Sequence, residues 1–139
     1  MKHEESQTKT IIIKGIERLD PVTVFLENWS EGQGRITIVC YGKSWTSFWG
    51  AMGSMTIEQF FSTSDVDYLA KNLSSISADV VDWGKVSKDL KEDVSETNHM
   101  FFYEQALEFY GSPPVLPTAM NPDYDYLCRI ITSVKESLR

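Results

Sequence analysis

Polar residues dominate the first nine positions, and the apolar pattern begins with TIIIKGI (10–16), whose β-branched side chains predict a short strand. In PVTVFLENW (21–29), Val22, Val24 and Leu26 alternate with Thr23, Phe25, Glu27 and Trp29. In RITIVCY (35–41), Ile36, Ile38 and Cys40 alternate with Arg35, Thr37, Val39 and Tyr41. A period of two sends successive side chains to opposite faces, so each run predicts a strand with one strongly buried face. SEGQG (30–34) between them is the kind of short, Gly-containing loop that joins antiparallel neighbours. SWTSFWG (44–50) alternates again and is either a fourth strand or a bulged continuation of the third. Two glycines within GAMG (50–53) then end the strand region.

Beyond this point the period lengthens. Thr56 is placed to cap IEQFFSTS, and Ser64 to cap DVDYLAKNLSS, where Val66, Leu69, Ala70 and Leu73 have amphipathic-helix spacing. DWGKVSKDLKEDVSE (82–96) predicts a third helix, with Val86, Leu90 and Val94 on one stripe. HMFFYEQALEFYG (99–111) reads as a helix closed by Gly111. SPPVLPTAMNP (112–122) holds four of the five prolines and is expected to be an extended loop. Asn121 then caps a helix that begins at Pro122, with Tyr124, Leu127, Ile131, Val134 and Leu138 as its apolar stripe.

Strands first and helices second, without βαβ alternation, predict an α+β domain. The expected architecture is a three- to four-stranded antiparallel meander in the N-terminal half, packed by C-terminal helices. Residues 1–9 are expected to be a flexible tail and residues 10–139 a single domain. Cys40 and Cys128 lie far apart with no metal or pairing spacing, which fits a reducing cytosol. No stretch approaches the roughly 18–20 apolar residues a membrane span needs, so the expected location is the cytoplasm.

Charge changes the picture in one region. Residues 79–125 carry ten acids against only Lys85, Lys88 and Lys91, which accounts for a net −7 equal to that of the whole chain. Duplex DNA binding depends on neutralising phosphates, so it is disfavoured. Asp89, Glu92, Asp93 and Glu96 form a candidate acidic interaction face, able to meet a basic patch on a partner or to imitate phosphate spacing.

Motifs for chemistry are sparse. GKS at 42–44 echoes the end of a phosphate loop, but Thr37 stands where the loop needs its first glycine. His3 and His99 share no face at ligand spacing, Cys40 belongs to an apolar strand face, and no GxSxG elbow occurs. No metal and no cofactor is therefore expected. Carboxylate pairs such as Glu104/Glu108 and Asp123/Asp125 could do acid–base work only in a cleft that raises one pKa. Acids on helix faces are more often simply solvated.

The densest aromatic segment is CYGKSWTSFWGAMG (40–53). If Tyr41 continues the outward face of its strand, Trp45 and Trp49 share that face with Lys43 nearby. An aromatic platform beside a cation stacks single-stranded nucleic acid or a flat ligand, and Trp and Tyr also anchor protein interfaces. The competing reading has helices covering this face and the rings completing the core, which suits a chain with 4 Trp, 6 Tyr and 7 Phe to bury.

GRITIVCYGKSWTSFWGAMG and the following TIEQFFSTSDVDYLAKNLS resemble a family of small uncharacterised proteins of lambdoid bacteriophages and enterobacterial prophages. The likeness spans about residues 10 to 75. It carries over no activity or catalytic residue. It implies a bacterial host cytoplasm and a phage accessory role near replication, recombination or host defence, including host takeover or anti-defence. Ser62 stands where members usually carry cysteine, which weighs against a metal or redox site there. The leading expectation is a non-enzymatic accessory protein that binds a host or phage protein, with Tyr41, Lys43, Trp45 and Trp49 as one candidate surface. The alternative is a binder of single-stranded nucleic acid or a nucleotide through the same cluster, and a carboxylate-based enzyme comes last.

Overall fold

A computed structural model describes all residues from Met1 to Arg139. The chain divides into two compact units, one of Met1–Ile76 with Tyr126–Arg139 and one of Ser77–Asp125.

The first unit is built on a four-stranded antiparallel meander in the order β1 (Lys9–Ile13), β2 (Val22–Ser30), β3 (Gln33–Cys40) and β4 (Lys43–Trp49). The α+β expectation is met, and SWTSFWG belongs to a separate fourth strand. Val22, Val24 and Leu26 of β2 and Ile36, Ile38 and Cys40 of β3 are all buried, so the alternation marks the inner face as the sequence predicts. Registers are fixed by short turns. Cys40 pairs with Lys43, leaving Tyr41 and Gly42 as a two-residue loop with φ of 48° and 77°. Positive φ at both central positions is the signature of the turn whose twist matches that of the flanking strands.

Between β2 and β3 the register shifts at Asn28 and Ser30, which makes Trp29 the extra residue of a β-bulge. Asn28 ties this corner to the first helix, α1 (Ile57–Thr63): its Oδ1 accepts from the Ile57 N–H at 2.8 Å. Gly34 makes the approach possible. A Cβ there would lie 2.8 Å from the Glu27 carbonyl oxygen and 2.9 Å from Ile57 Cβ, inside van der Waals contact. The GAMG segment folds back on the same corner, where the Met52 N–H donates to the Gly32 carbonyl at 2.9 Å and the Met52 side chain is buried.

Thr56 caps α1 in a reciprocal capping box with Gln59. Ser64 does not cap α2 (Val66–Leu73), contrary to the sequence expectation: its hydroxyl donates to the Phe60 carbonyl and ends α1, and Asp65 precedes α2. A hydroxyl one residue nearer the preceding helix finds that helix's free carbonyl first. Ile57, Phe61, Leu69, Ala70 and Leu73 are buried, as are Leu127, Ile130, Ile131 and Val134 of the last helix, α5 (Pro122–Ser137). Asn121 caps α5 as predicted, its Oδ1 accepting from the Asp123 N–H at 3.0 Å.

The second unit contains a two-stranded antiparallel pair, β5 (Asp79–Val81) with β6 (Thr118–Met120). It also holds α3 (Trp83–Leu90), a 3-10 turn over His99–Phe102 and α4 (Tyr103–Tyr110). The segment expected to be an extended loop therefore contributes a strand. Three residues give too short a run for period-two alternation to register. No helix is long and apolar enough to cross a membrane.

Tyr41 holds a left-handed conformation that costs a residue with a Cβ about 1 kcal/mol, and at 80% exposure it gains no packing in return. Tyr41→Asn, the residue this turn prefers, is expected to raise unfolding free energy by roughly 0.5–1 kcal/mol in urea denaturation.

Candidate functional site

The aromatic residues of 41–49 do not form one outward platform. Tyr41 is in the turn, so it does not carry the outward face of β3 into β4. Pairing of Cys40 with Lys43 sets Trp45 opposite Ile38 and Trp49 opposite Gly34. Directly paired residues of an antiparallel ladder share a face, so both tryptophans point to the inner side of the sheet. Trp49 is buried, donates its indole N–H to the Tyr68 hydroxyl at 3.0 Å, and packs on Phe60 with centroids 5.2 Å apart. Trp45 is half-buried, 6.3 Å from the ring of Tyr126 on α5. Lys43 is exposed, its Nζ 5.4 Å over the Tyr126 ring. The Tyr126 hydroxyl donates to Cys40 Sγ at 3.3 Å, and this bond, together with burial, pushes its pKa up to about 12. Trp49 and Trp45 thus close the core edge, while Tyr41 and Lys43 stay exposed at the turn.

The outer face of the sheet carries a different aromatic group. Glu27, Arg35 and Phe48 lie in one cross-strand row, since Glu27 pairs with Arg35 and Arg35 with Phe48. Arg35 donates to both carboxylate oxygens of Glu27, Nε at 2.5 Å and Nη2 at 3.1 Å, a forked pair that holds the guanidinium flat. The hydrogen bond and charge of Glu27 raise the Arg35 pKa further. The guanidinium carbon sits 5.3 Å over the ring of Trp29, the bulge residue. Trp29 and Phe48 meet with centroids 4.8 Å apart and an interplanar angle of 35°. They remain 57% and 45% exposed, a large aromatic surface left in water. Beside them lies a shallow concavity lined by Thr10, Phe25, Glu27, Arg35 and Thr37. The sequence pattern puts Trp29 at an outward position of its strand, but a reading that sets Trp45 and Trp49 outward turns Phe48 inward; the pairing of Arg35 with Phe48 reverses that. The register that brings Trp29 and Phe48 together depends on the bulge and on the length of the β3–β4 turn.

The acidic residues separate in a similar way. Asp89 is on α3 with its side chain only 14% exposed, 3.2 Å from Lys85 Nζ and accepting from the Tyr110 hydroxyl at 2.8 Å. The Tyr110 hydrogen bond, followed by that of Lys85, lowers the Asp89 pKa, while burial and Asp89 push Tyr110 up to about 12. Glu92, Asp93 and Glu96 are exposed but are not helical, which corrects the expectation of an acidic helix face. Lys91 adopts φ 57° and terminates α3, and the Ser87 hydroxyl bridges the Val94 N–H and carbonyl, each at 2.9 Å. That clamp turns the chain back and draws Val94 into the unit's core. No group of three or more His, Cys, Asp or Glu side chains is placed to hold a metal ion.

Two measurements check this placement. Trp29→Phe is expected to remove the red-shifted, iodide-quenchable part of the tryptophan emission, and Trp49→Phe a blue-shifted, unquenched part. The Asp89 pair stabilises the fold fully above the carboxyl's ordinary pKa and loses that contribution as pH falls through its lowered folded value. Tyr110→Phe is expected to move the Asp89 carboxyl back up toward its ordinary value, read by NMR titration of the side-chain carbon.

No curated protein and no solved structure gives a significant match to the sequence. A protein family described as "Phage family" (Phage_phiTE_072) matches over residues 1–139, the whole length. Residues 10–75 and the less distinctive remainder thus fall within one family pattern, and the chain belongs to this phage family.

Proposed function

We propose that this phage protein is an accessory factor that acts by binding a protein of the host or of the phage in the host cytoplasm. A host-takeover or anti-defence role fits such a factor. The observation that carries the reading is the exposed Trp29–Arg35–Phe48 group on the open face of the sheet. Tryptophan and arginine rank with the residues most enriched among those that dominate interface energy, and here Arg35 is held by strand pairing and by the Glu27 fork against the Trp29 ring. Rigid side chains lose little conformational entropy on association. Among the titratable groups, Asp89 and Tyr126 owe their shifted pKa values first to hydrogen bonds within the fold, and Tyr110 to burial and then to its bond with Asp89; these structural causes favour binding over acid–base catalysis.

The same stacked group would suit a nucleobase, the alternative use of an aromatic platform. Charge argues for protein. The unit of residues 1–76 and 126–139 holds ten acids and ten bases, a net of zero, and the cation beside Trp29 already answers Glu27. With no net positive charge the unit has little general attraction for a phosphate backbone.

The double variant Trp29→Ser, Phe48→Ser changes only exposed rings and should keep its far-UV circular dichroism. Lysate from phage-infected cells passed over the parent protein should yield a partner retained at 0.5 M salt and lost by the variant. A labelled thirty-residue oligothymidine that binds the parent at low salt, falls away steeply as salt rises and ignores the variant would replace the protein reading with the single-strand one.

A further inference from the structure

The second unit contains an apolar cavity of about 210 Å³ that the open sheet face does not involve. Trp83 and Leu90 of α3, Val94, and Phe102, Tyr103 and Ala106 around the start of α4 form its wall. His99 lies over the Trp83 ring, with centroids 5.1 Å apart at 31°, which adds a flat, polarisable wall. The cavity is open: Met100 lines it and is still 69% exposed, and its neighbour Phe101 is 86% exposed. Its size exceeds the roughly 150 Å³ of an engineered apolar cavity that admits benzene. One bulky side chain fits.

The surroundings select a charge. The unit's charged side chains, all within residues 79–125, comprise ten acids and three lysines, and Lys85 is already paired with Asp89. Val94, which lines the cavity, stands in a clamped loop with Asp93 immediately before it and Glu96 two residues after, both exposed. Tyr103, which also lines the cavity, is followed by exposed Glu104. An apolar hole set in a net −7 surface repels a second copy of this chain and attracts a cationic one. We propose that this cavity seats one aromatic side chain of a Lys/Arg-rich segment of a partner protein. Aromatic walls from Trp83, His99, Phe102 and Tyr103 favour an aromatic anchor through offset and edge-to-face contacts. The flanking cations of the segment meet the carboxylates of the loop and of α4. The mode of recognition is an apolar anchor for affinity with opposite charge for orientation and encounter rate.

The probe is a synthetic ten-residue peptide of Lys, Arg and Gly with one central Phe, titrated calorimetrically against the full chain. It is compared with the same peptide carrying Ala in place of Phe, with an Asp/Glu version, and with p-cresol alone. The basic Phe peptide is expected to bind at least tenfold more tightly than the Ala and the acidic peptides. Ala106→Leu, which fills the cavity, should weaken it at least tenfold. The exposed pair Glu92→Lys, Glu96→Lys should do so too without touching the wall, so the test survives if Ala106→Leu fails to fold. The variant Trp29→Ser, Phe48→Ser should bind the peptide like the parent, which separates this site from the sheet face. Equal binding of the Phe and Ala peptides would overturn the proposal, as would equal binding of the acidic peptide. So would p-cresol binding as tightly as the basic Phe peptide, which would make the cavity a small-molecule site.

Discussion

Pairing of Cys40 with Lys43 across a two-residue turn governs the sidedness of everything that follows in the first unit. Inner positions of β3 are even-numbered, so a turn of two residues makes the inner positions of β4 odd-numbered. Trp45 and Trp49 are thereby committed to the helix side of the sheet, and Phe48 to the open side. One residue more or less in the turn would exchange them, because a strand has a strict period of two. The left-handed Tyr41 is the local strain that accompanies this register.

The exposed group on the sheet face depends on two further local devices. The bulge at Trp29 adds a residue at the end of β2, and the Glu27–Arg35 fork fixes the cation against its ring. Each device is weak alone, and together they hold three side chains from three adjacent strands in one geometry. On the other side of the sheet Gly34 admits Ile57, so the capped start of α1 closes over the same corner. A buried corner beneath an exposed aromatic group gives that group a rigid support.

The two units differ in what they offer a partner. One has balanced charge and a flat aromatic face. The other has a net −7, an open apolar cavity and several exposed apolar side chains, among them Met100, Phe101 and Phe109. Its acids are of two kinds. Asp89 is held inward by Lys85 and Tyr110 and serves the fold, while Glu92, Asp93 and Glu96 face water and shape the surface field. Sequence spacing groups all four alike, and only the end of α3 at Leu90 parts them.

Local signals in the sequence determined the meander, its inner face, the capping of α1 by Thr56 and of α5 by Asn121, and the concentration of negative charge. Each of these rests on side-chain period, capping chemistry or composition, which neighbours along the chain settle. Tertiary structure alone decided that Tyr41 turns rather than pairs and that Trp29 meets Phe48 and Arg35. It also decided that β5 finds β6 across 36 intervening residues, numbers 82 to 117, and that Val94 is drawn into a wall. These outcomes depend on strand register, on a bulge and on a single hydroxyl clamp. Their energies are small beside the hydrophobic burial that fixes the pattern, so the pattern carries no trace of them until the chain has folded.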